Sequence, residues 1–168
     1  MLKKALIGLG SNLNNPIQQV QLAIKTLSSY KEIEFLNASS LYESLPQGPQ
    51  DQDCFINAVI LIQTELEPEP LLLLLQEVEY NQGKVKLRHW GERCIDLDIL
   101  FIDHLIIQQS NPDLIIPHPH ALSRDFVLIP ALEVAPDWRL PDLSTFKDYL
   151  SSCTKHELKK LSSIPETA

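Results

Sequence analysis

Basic residues are in short supply, with 14 Lys and Arg against 22 Asp and Glu for a formal net charge of −8. A general nucleic-acid binder or a protein of anionic membranes relies on a broad basic surface, so both classes are disfavoured. Cysteine is scarce too. Cys54, Cys94 and Cys153 are odd in number and show no CxxC or Cys/His metal spacing, so neither a disulfide framework nor a structural zinc site is implied, and a reducing cytoplasm fits best. Long apolar runs are lacking. Leu71 to Leu75 is only five residues, far below the roughly 20 that span a bilayer. The start, Met1 to Gly8, opens like a signal peptide but turns to Gly-Ser-Asn too soon for a proper apolar region, and reads as a first strand. There is no internal repeat and no interdomain linker. With 168 residues, 44% of them hydrophobic, one compact soluble domain is expected over residues 1–153. A polar tail over 154–168 is expected to fray from about Lys155.

The apolar run at residues 3–9 ends at Gly10-Ser11-Asn12. Asn15-Pro16 then supplies a helix cap with proline at the first helical position, and Ile17, Val20, Ile24 and Leu27 keep helical spacing to about Ser29. Residues 33–42 and 54–65 are rich in β-branched and aromatic residues and read as two strands with a long connection. Pro68-Glu69-Pro70 opens a second helix over 71–82, stopped by Gly83. A loop over 84–94 leads to a strand at 95–102, and Leu105-Ile106-Ile107 is expected to fold back on it as a hairpin across Asp103-His104. Short helices are expected near Phe126 to Val134, ended by Pro136, and over 144–152. The order βαββαβ predicts an α+β, ferredoxin-like fold: an antiparallel sheet with both main helices on one face, followed by a C-terminal hairpin and short helices.

What is present in place of basic surface is a local cluster. Lys84, Lys86, Arg88 and Arg93 fall within ten residues beside His89, opposed only by Glu92, which suits a small polyanion such as a nucleoside triphosphate. Directly after it comes Asp96-Leu97-Asp98. Strand side chains alternate, so the two carboxylates share one face while Ile95, Leu97 and Ile99 share the other. Like charges roughly 6 to 7 Å apart along a strand face raise each other's pKa unless a cation neutralises them. Mg²⁺ is typically held by one or two carboxylates with substrate phosphates completing its shell, so the pair points to phosphoryl or nucleotidyl transfer.

Four blocks together carry a resemblance. Gly10-Ser11-Asn12-Leu13, Gly48-Pro49-Gln50-Asp51-Gln52 ahead of Phe55-Ile56-Asn57, the run Arg88 to Leu100, and Ile116-Pro117-His118-Pro119-His120 with Arg124-Asp125-Phe126 resemble 6-hydroxymethyl-7,8-dihydropterin pyrophosphokinase. The resemblance covers residues 1 to about 145. It implies an enzyme of folate biosynthesis that moves the terminal pyrophosphoryl group of ATP to the hydroxymethyl oxygen of a reduced pterin and releases AMP. Such a transfer is mainly positioning and charge neutralisation. By the same resemblance two Mg²⁺ ions, roughly 3.5 to 4 Å apart, are shared by Asp96 and Asp98. The partners implied are ATP and the pterin, with no nucleic acid or membrane, for a cytoplasmic monomer.

Site residues carry over one at a time. Asn57 resembles the amide that hydrogen-bonds the pterin ring, Phe55 and Phe126 the aromatic pair that sandwiches it, and Ser44 with the backbone near Gln47 the loop that completes its recognition. Trp90 and the catalytic Arg93 sit where the family closes a lid over both substrates. Gln76 and Glu79, with Lys86, Ile99, His118 and Arg124, resemble the ATP set, the last two placed to meet phosphate oxygens. Each has a structural alternative. Phe55 and Phe126 could be core, Asn57 could bond only backbone, the cationic run could be a solvated loop, and Gly10-Ser11-Asn12 is cheapest as a turn supporting the site. Cys94 reads as packing, and His104 and His120 as surface. Lys84 and Lys86 stand where the family often has arginine, without its bidentate fork; Leu45 and Pro119 also depart from the pattern. A non-catalytic ligand-binding module, or an RNA binder on the same sheet topology, are the competing classes.

Overall fold

A computed structural model gives the structure of the chain and describes residues 1–13, 15–45, 53–83, 94–153, 155 and 158–163, the side chains of Ser162 and Ser163 excepted. The elements run β1 (Lys3–Ser11), α1 (Pro16–Ser28), β2 (Ile33–Ala38), β3 (Ser40–Ser44), β4 (Phe55–Thr64), α2 (Pro68–Asn81), β5 (Asp96–Ile102), β6 (Ile107–Gln109), β7 (Leu114–Ile116), α3 (Asp125–Val134), α4 (Phe146–Leu150) and β8 (Lys159–Ser163). The main sheet is ordered β5-β1-β4-β3-β8, with β2 also on β4. β1 lies antiparallel between β4 and β5. With β2 and β3 counted as one broken strand, this is the ferredoxin-like arrangement the sequence predicts.

The break has a visible cause. Ser39 interrupts the strand, and its hydroxyl accepts the Val59 N–H at 2.9 Å while its own N–H donates to the Val59 carbonyl at 2.9 Å. Both β2 and β3 therefore stay on β4. Pro16 opens α1, but Asn15 sits in the left-handed region at φ 62 with no side-chain cap bond, so its contribution is a turn and not the expected cap. α2 closes at Gly83, whose φ of +83 is freely adopted only by glycine.

Side-chain alternation splits the core in two. Ile7, Leu9, Ala58, Ile60, Leu97 and Ile99 face α1 and α2. Leu6, Val59 and Leu100 face the opposite way, against Val127, Leu128 and Ala131 of α3 and Phe146 of α4. The short C-terminal helices thus cover the second face of the sheet.

Two further expectations are corrected. Leu105 to Ile107 does not pair with β5. Asp103 holds the end of β1 instead, its carboxylate accepting the Lys4 N–H at 3.0 Å and its N–H donating to the Lys4 carbonyl at 2.9 Å. The chain leaves the sheet there, and β6 pairs with β7, Ile107 opposite Ile116 and Gln109 opposite Leu114. The polar tail is not all frayed: β8 pairs with β3, Tyr42 opposite Lys160 and Glu43 opposite Lys159, because β3 would otherwise present an open edge. Among the described residues no helix is long and apolar enough to cross a membrane, and Cys54, Cys94 and Cys153 form no disulfide with one another.

Candidate active site

β1 makes room for the site by what it lacks. Gly10 pairs with Asn57 on one side and Asp96 on the other, and Gly8 pairs with Val59 and Asp98. Residues directly opposite share a face, so the two carboxylates, the two glycines and Asn57 lie together on the α3 side of the sheet. A Cβ at Gly8 would come within 3.2 Å of Leu100 Cδ1, and one at Gly10 would stand 3.6 Å from Asn57 Oδ1 and 3.9 Å from Phe55 Cδ1. Side chains there would fill the floor of a cleft. That cleft holds about 400 Å³ and runs from Ser44, Phe55 and Asn57 past Asp96 and Asp98 to His118, Arg124 and Phe126, then round the β5 edge to Gln76 and Glu79 of α2.

At one end Asn57 is oriented by its neighbours. Its Nδ2 donates to Ser44 Oγ at 2.7 Å, with longer contacts to the carbonyls of Phe55 at 3.4 Å and Tyr42 at 3.5 Å. The amide nitrogen is engaged, which turns Oδ1 toward the floor over Gly10. Asn12, 1% exposed, donates from Nδ2 to the Asp53 carbonyl at 3.1 Å. Gly10 and Ser11 are thus strand and not the expected turn, and Asn12, just past the end of β1, fixes the chain that leads into Phe55, a supporting role.

At the other end the residues after β7 return to the sheet. The His118 N–H donates to the Leu100 carbonyl at 2.9 Å, on the β5 edge, and the His118 Nδ1 accepts the His120 N–H at 3.1 Å. In the neutral ring the proton therefore sits on Nε2. Burial, then Arg124 and His120, push the His118 pKa down to about 4 against the opposing pull of Asp96, so at neutral pH it is an uncharged donor. Arg124 begins α3 in an extended conformation. Burial lowers its pKa while Asp98 and then Asp96 favour its charge, and its Cζ stands 5.5 Å from the centre of the Phe126 ring, close enough for a cation–π contact.

Asp96 is half-buried and Asp98 exposed. Among the described residues no cluster of three or more His, Cys, Asp or Glu is arranged to hold a metal. Two oxygen donors beside a cationic wall fit Mg²⁺ carried in by phosphates better than a cage of protein ligands.

Most of the expected site residues meet in this one cleft: Ser44, Phe55, Asn57, Gln76, Glu79, Asp96, Asp98, His118, Arg124 and Phe126. Ile99 does not. It is 5% exposed in the core facing α1 and α2, so only its main chain could meet a ligand. Glu79 is 6% exposed and accepts the Leu97 N–H at 2.7 Å, tying α2 to the open edge of β5. Gln47, Lys86, Trp90 and Arg93 lie outside the described residues. Gly8 and His120 also line the cleft. Their signals were faint: Gly8 is two residues from Gly10, and His120 is two from His118.

The fold is of the ferredoxin-like class, and in its cleft the carboxylate pair shares the lining with Arg124 and His118. The family model of 7,8-dihydro-6-hydroxymethylpterin-pyrophosphokinase matches residues 6–136. A 2-amino-4-hydroxy-6-hydroxymethyldihydropteridine pyrophosphokinase of Haemophilus influenzae is 45% identical over 157 residues, covering 94% of this chain and 97% of that protein. The protein of the same name from Pseudomonas aeruginosa is 38% identical, covering 96% and 98%. A crystal structure of wild-type Plasmodium falciparum HPPK-DHPS with pteroate superposes with a TM-score of 0.71 at 15% identity, over 90% of this chain but 42% of that one. The likeness to it is one of fold. The chain belongs to the 7,8-dihydro-6-hydroxymethylpterin-pyrophosphokinase family.

Proposed function

We propose that this chain performs the family's reaction in the cleft between β1, β5 and α3, with ATP as donor, AMP as product and two Mg²⁺ ions held by Asp96 and Asp98. Family membership carries the reaction class, pyrophosphoryl transfer to hydroxymethyldihydropterin in folate synthesis. The observation that carries the assignment to this cleft is the row Asp96–Gly10–Asn57 across three strands, which sets a carboxylate beside a ring-binding amide with nothing but glycine between.

The pterin lies at the Asn57 end. Asn57 Nδ2 is held by Ser44, so Oδ1 accepts ring N–H groups, and Phe55 and Phe126 stack on the heterocycle. The triphosphate lies toward Arg124 and His118. Arg124 supplies a forked, charged donor and His118 an Nε2–H donor, so both can meet phosphate oxygens. Bound Mg²⁺ would neutralise the charge that develops on the transferring phosphates. The hydroxymethyl oxygen attacks the β-phosphorus in line with the departing AMP oxygen, and the residues contribute by positioning and electrostatics. By the resemblance of the sequence, Arg93 and Trp90 would serve both substrates, Lys86 the phosphates and Gln47 the pterin.

Incubation with ATP, Mg²⁺ and 6-hydroxymethyl-7,8-dihydropterin should release AMP stoichiometrically with pterin diphosphate. Asp96→Ala and Asp98→Ala should each lose about 10²–10³-fold or more in kcat, the scale of one preorganised charge contact, with unchanged circular dichroism, since the core face of β5 is untouched. ADP as product, no turnover, or both variants active at saturating Mg²⁺ would overturn the assignment.

A further inference from the structure

Glu133 has no part in the chemistry described, yet its carboxylate accepts three hydrogen bonds. Its Oε1 accepts the Ser40 N–H at 2.8 Å and the Tyr42 hydroxyl at 2.8 Å, and its Oε2 accepts the Ser40 hydroxyl at 2.6 Å. Lys160 Nζ of β8 stands 3.8 Å from Oε2. Ser40 and Tyr42 are 1% and 5% exposed, so the carboxylate reaches down from the surface of α3 to groups set in β3. The three hydrogen bonds and Lys160 hold its pKa low against a burial effect that raises it.

The strand it grips belongs to the pterin end of the cleft. Tyr42 is the ladder partner of Asn57, and Ser44, next on the same face, is the partner of Phe55. The helix it belongs to carries Phe126, seven residues earlier, which places both on one face about two turns apart. Between them stands Pro130, inside α3. Proline has no N–H, so the Phe126 carbonyl loses the intrahelical bond from residue 130 that would otherwise tie the first turn to the second. The tie from α3 to β3 therefore adds to the packing of Val127, Leu128 and Ala131 on the sheet in setting the height and rotation of Phe126. Arg124 is less dependent, because the preceding 3-10 turn (Ala121–Ser123) and the attraction of Asp98 and Asp96 hold it separately.

Resting on the pterin reading of this cleft, we propose that Glu133 is a positioning residue that sets the spacing between Phe126 on α3 and the Asn57–Ser44 pair on the sheet, and so governs pterin affinity but not ATP affinity. Removing it loosens one wall of the pterin end while the phosphate end keeps its own supports.

The test is steady-state kinetics of the full chain with each substrate varied in turn, beside thermal unfolding. Glu133→Ala should raise the KM for 6-hydroxymethyl-7,8-dihydropterin about tenfold, the scale of one or two hydrogen bonds, and leave the KM for ATP within about twofold. Glu133→Gln keeps a carbonyl oxygen for Ser40 N–H and Tyr42, and its amide can donate to the Ser40 hydroxyl; it should restore pterin KM to near wild type. A folded Glu133→Ala with unchanged pterin KM, or Glu133→Gln as impaired as Glu133→Ala, overturns the role. Should Glu133→Ala fail to fold, Tyr42→Phe and Ser40→Ala each remove part of the same tie. A pterin-specific KM rise of about two- to threefold in each supports the role, and no rise in either overturns it. A wild-type chain that forms no AMP overturns the pterin reading and this role together; an active wild type with indifferent variants overturns this role alone.

Discussion

His118 shows how burial selects a protonation state for a residue's task. Its ring sits where Arg124 and His120 disfavour a second positive charge and where solvent is partly excluded, so the pKa falls from 6.5 to about 4. A neutral imidazole on the cleft wall, its Nδ1 taken by the His120 N–H, carries its proton on Nε2 and does not switch charge near neutrality in the ligand-free chain. The folded chain binds this proton less tightly than the unfolded chain, so stability contributed by the neutral ring is complete above pH 6.5 and is lost as the pH falls toward 4. Urea unfolding of the metal-free, ligand-free protein between pH 7 and pH 4 should therefore show a decline that is shallower in His118→Gln. Parallel curves for the two proteins would mean that His118 is not held neutral by the fold. The residues around it also show what sequence can and cannot reveal at this scale. Asp96 and Asp98 were legible because strand geometry has a period of two and needs no partner to be known. Asn57 was legible only as an amide in an apolar strand; that Ser44 turns its oxygen to the cleft depends on a partner 13 residues away. Glu133 left no trace, since its partners are 91 and 93 residues distant.

Among the elements, β5 is the one on which the site depends, and it is an edge strand. Its inner edge is zipped to β1, but its outer edge would expose Leu97, which lies between the two candidate metal ligands. Glu79 covers that point from α2 by accepting the Leu97 N–H at 2.7 Å. Glu79→Ala should therefore cost on the order of 1–3 kcal/mol, the range for leaving a buried donor without its partner, and should reduce turnover by loosening Asp96 and Asp98 together. Glu79→Gln, which keeps an acceptor oxygen, should lose less of both. Chemical denaturation with parallel AMP-release assays checks this, and equal effects of the two substitutions would show that the acceptor oxygen is not what matters. The long elements were readable from pattern: α1, β4 and α2 follow their periodicity and their Pro and Gly punctuation. The short ones were not. Leu105 to Ile107 is apolar enough to pair with any neighbour, and only the Asp103 turn, closed on Lys4 by bonds at 3.0 and 2.9 Å, decides that it pairs with β7.

At the scale of the whole molecule the two faces of one sheet do different work. The α1–α2 face is closed by a continuous apolar core, whereas the α3 face is apolar only toward Leu6, Val59 and Leu100 and opens into the cleft where glycines replace side chains. The open side needs its lateral supports, and β8 is one of them. Its residues carry no apolar alternation beyond Leu161, which is why it reads as tail; its fold is dictated by the free edge of β3 that it covers. It also brings Lys160 to within 3.8 Å of Glu133. A chain ending after Lys155 would lose the β3–β8 ladder and the packing of Leu161 against the core. A loss of several net hydrogen bonds amounts to about 2–4 kcal/mol, or roughly 4–16 °C in Tm for a domain of this size. The same truncation would bare the edge of the strand that carries Ser44, so pterin KM should rise more than ATP KM, and light scattering on heating should increase as exposed edges pair between molecules. An unchanged Tm in the truncated chain would show that β8 merely rests on the sheet, and a Tm loss with both KM values unmoved would separate the stability of β3 from its part in holding the pterin end.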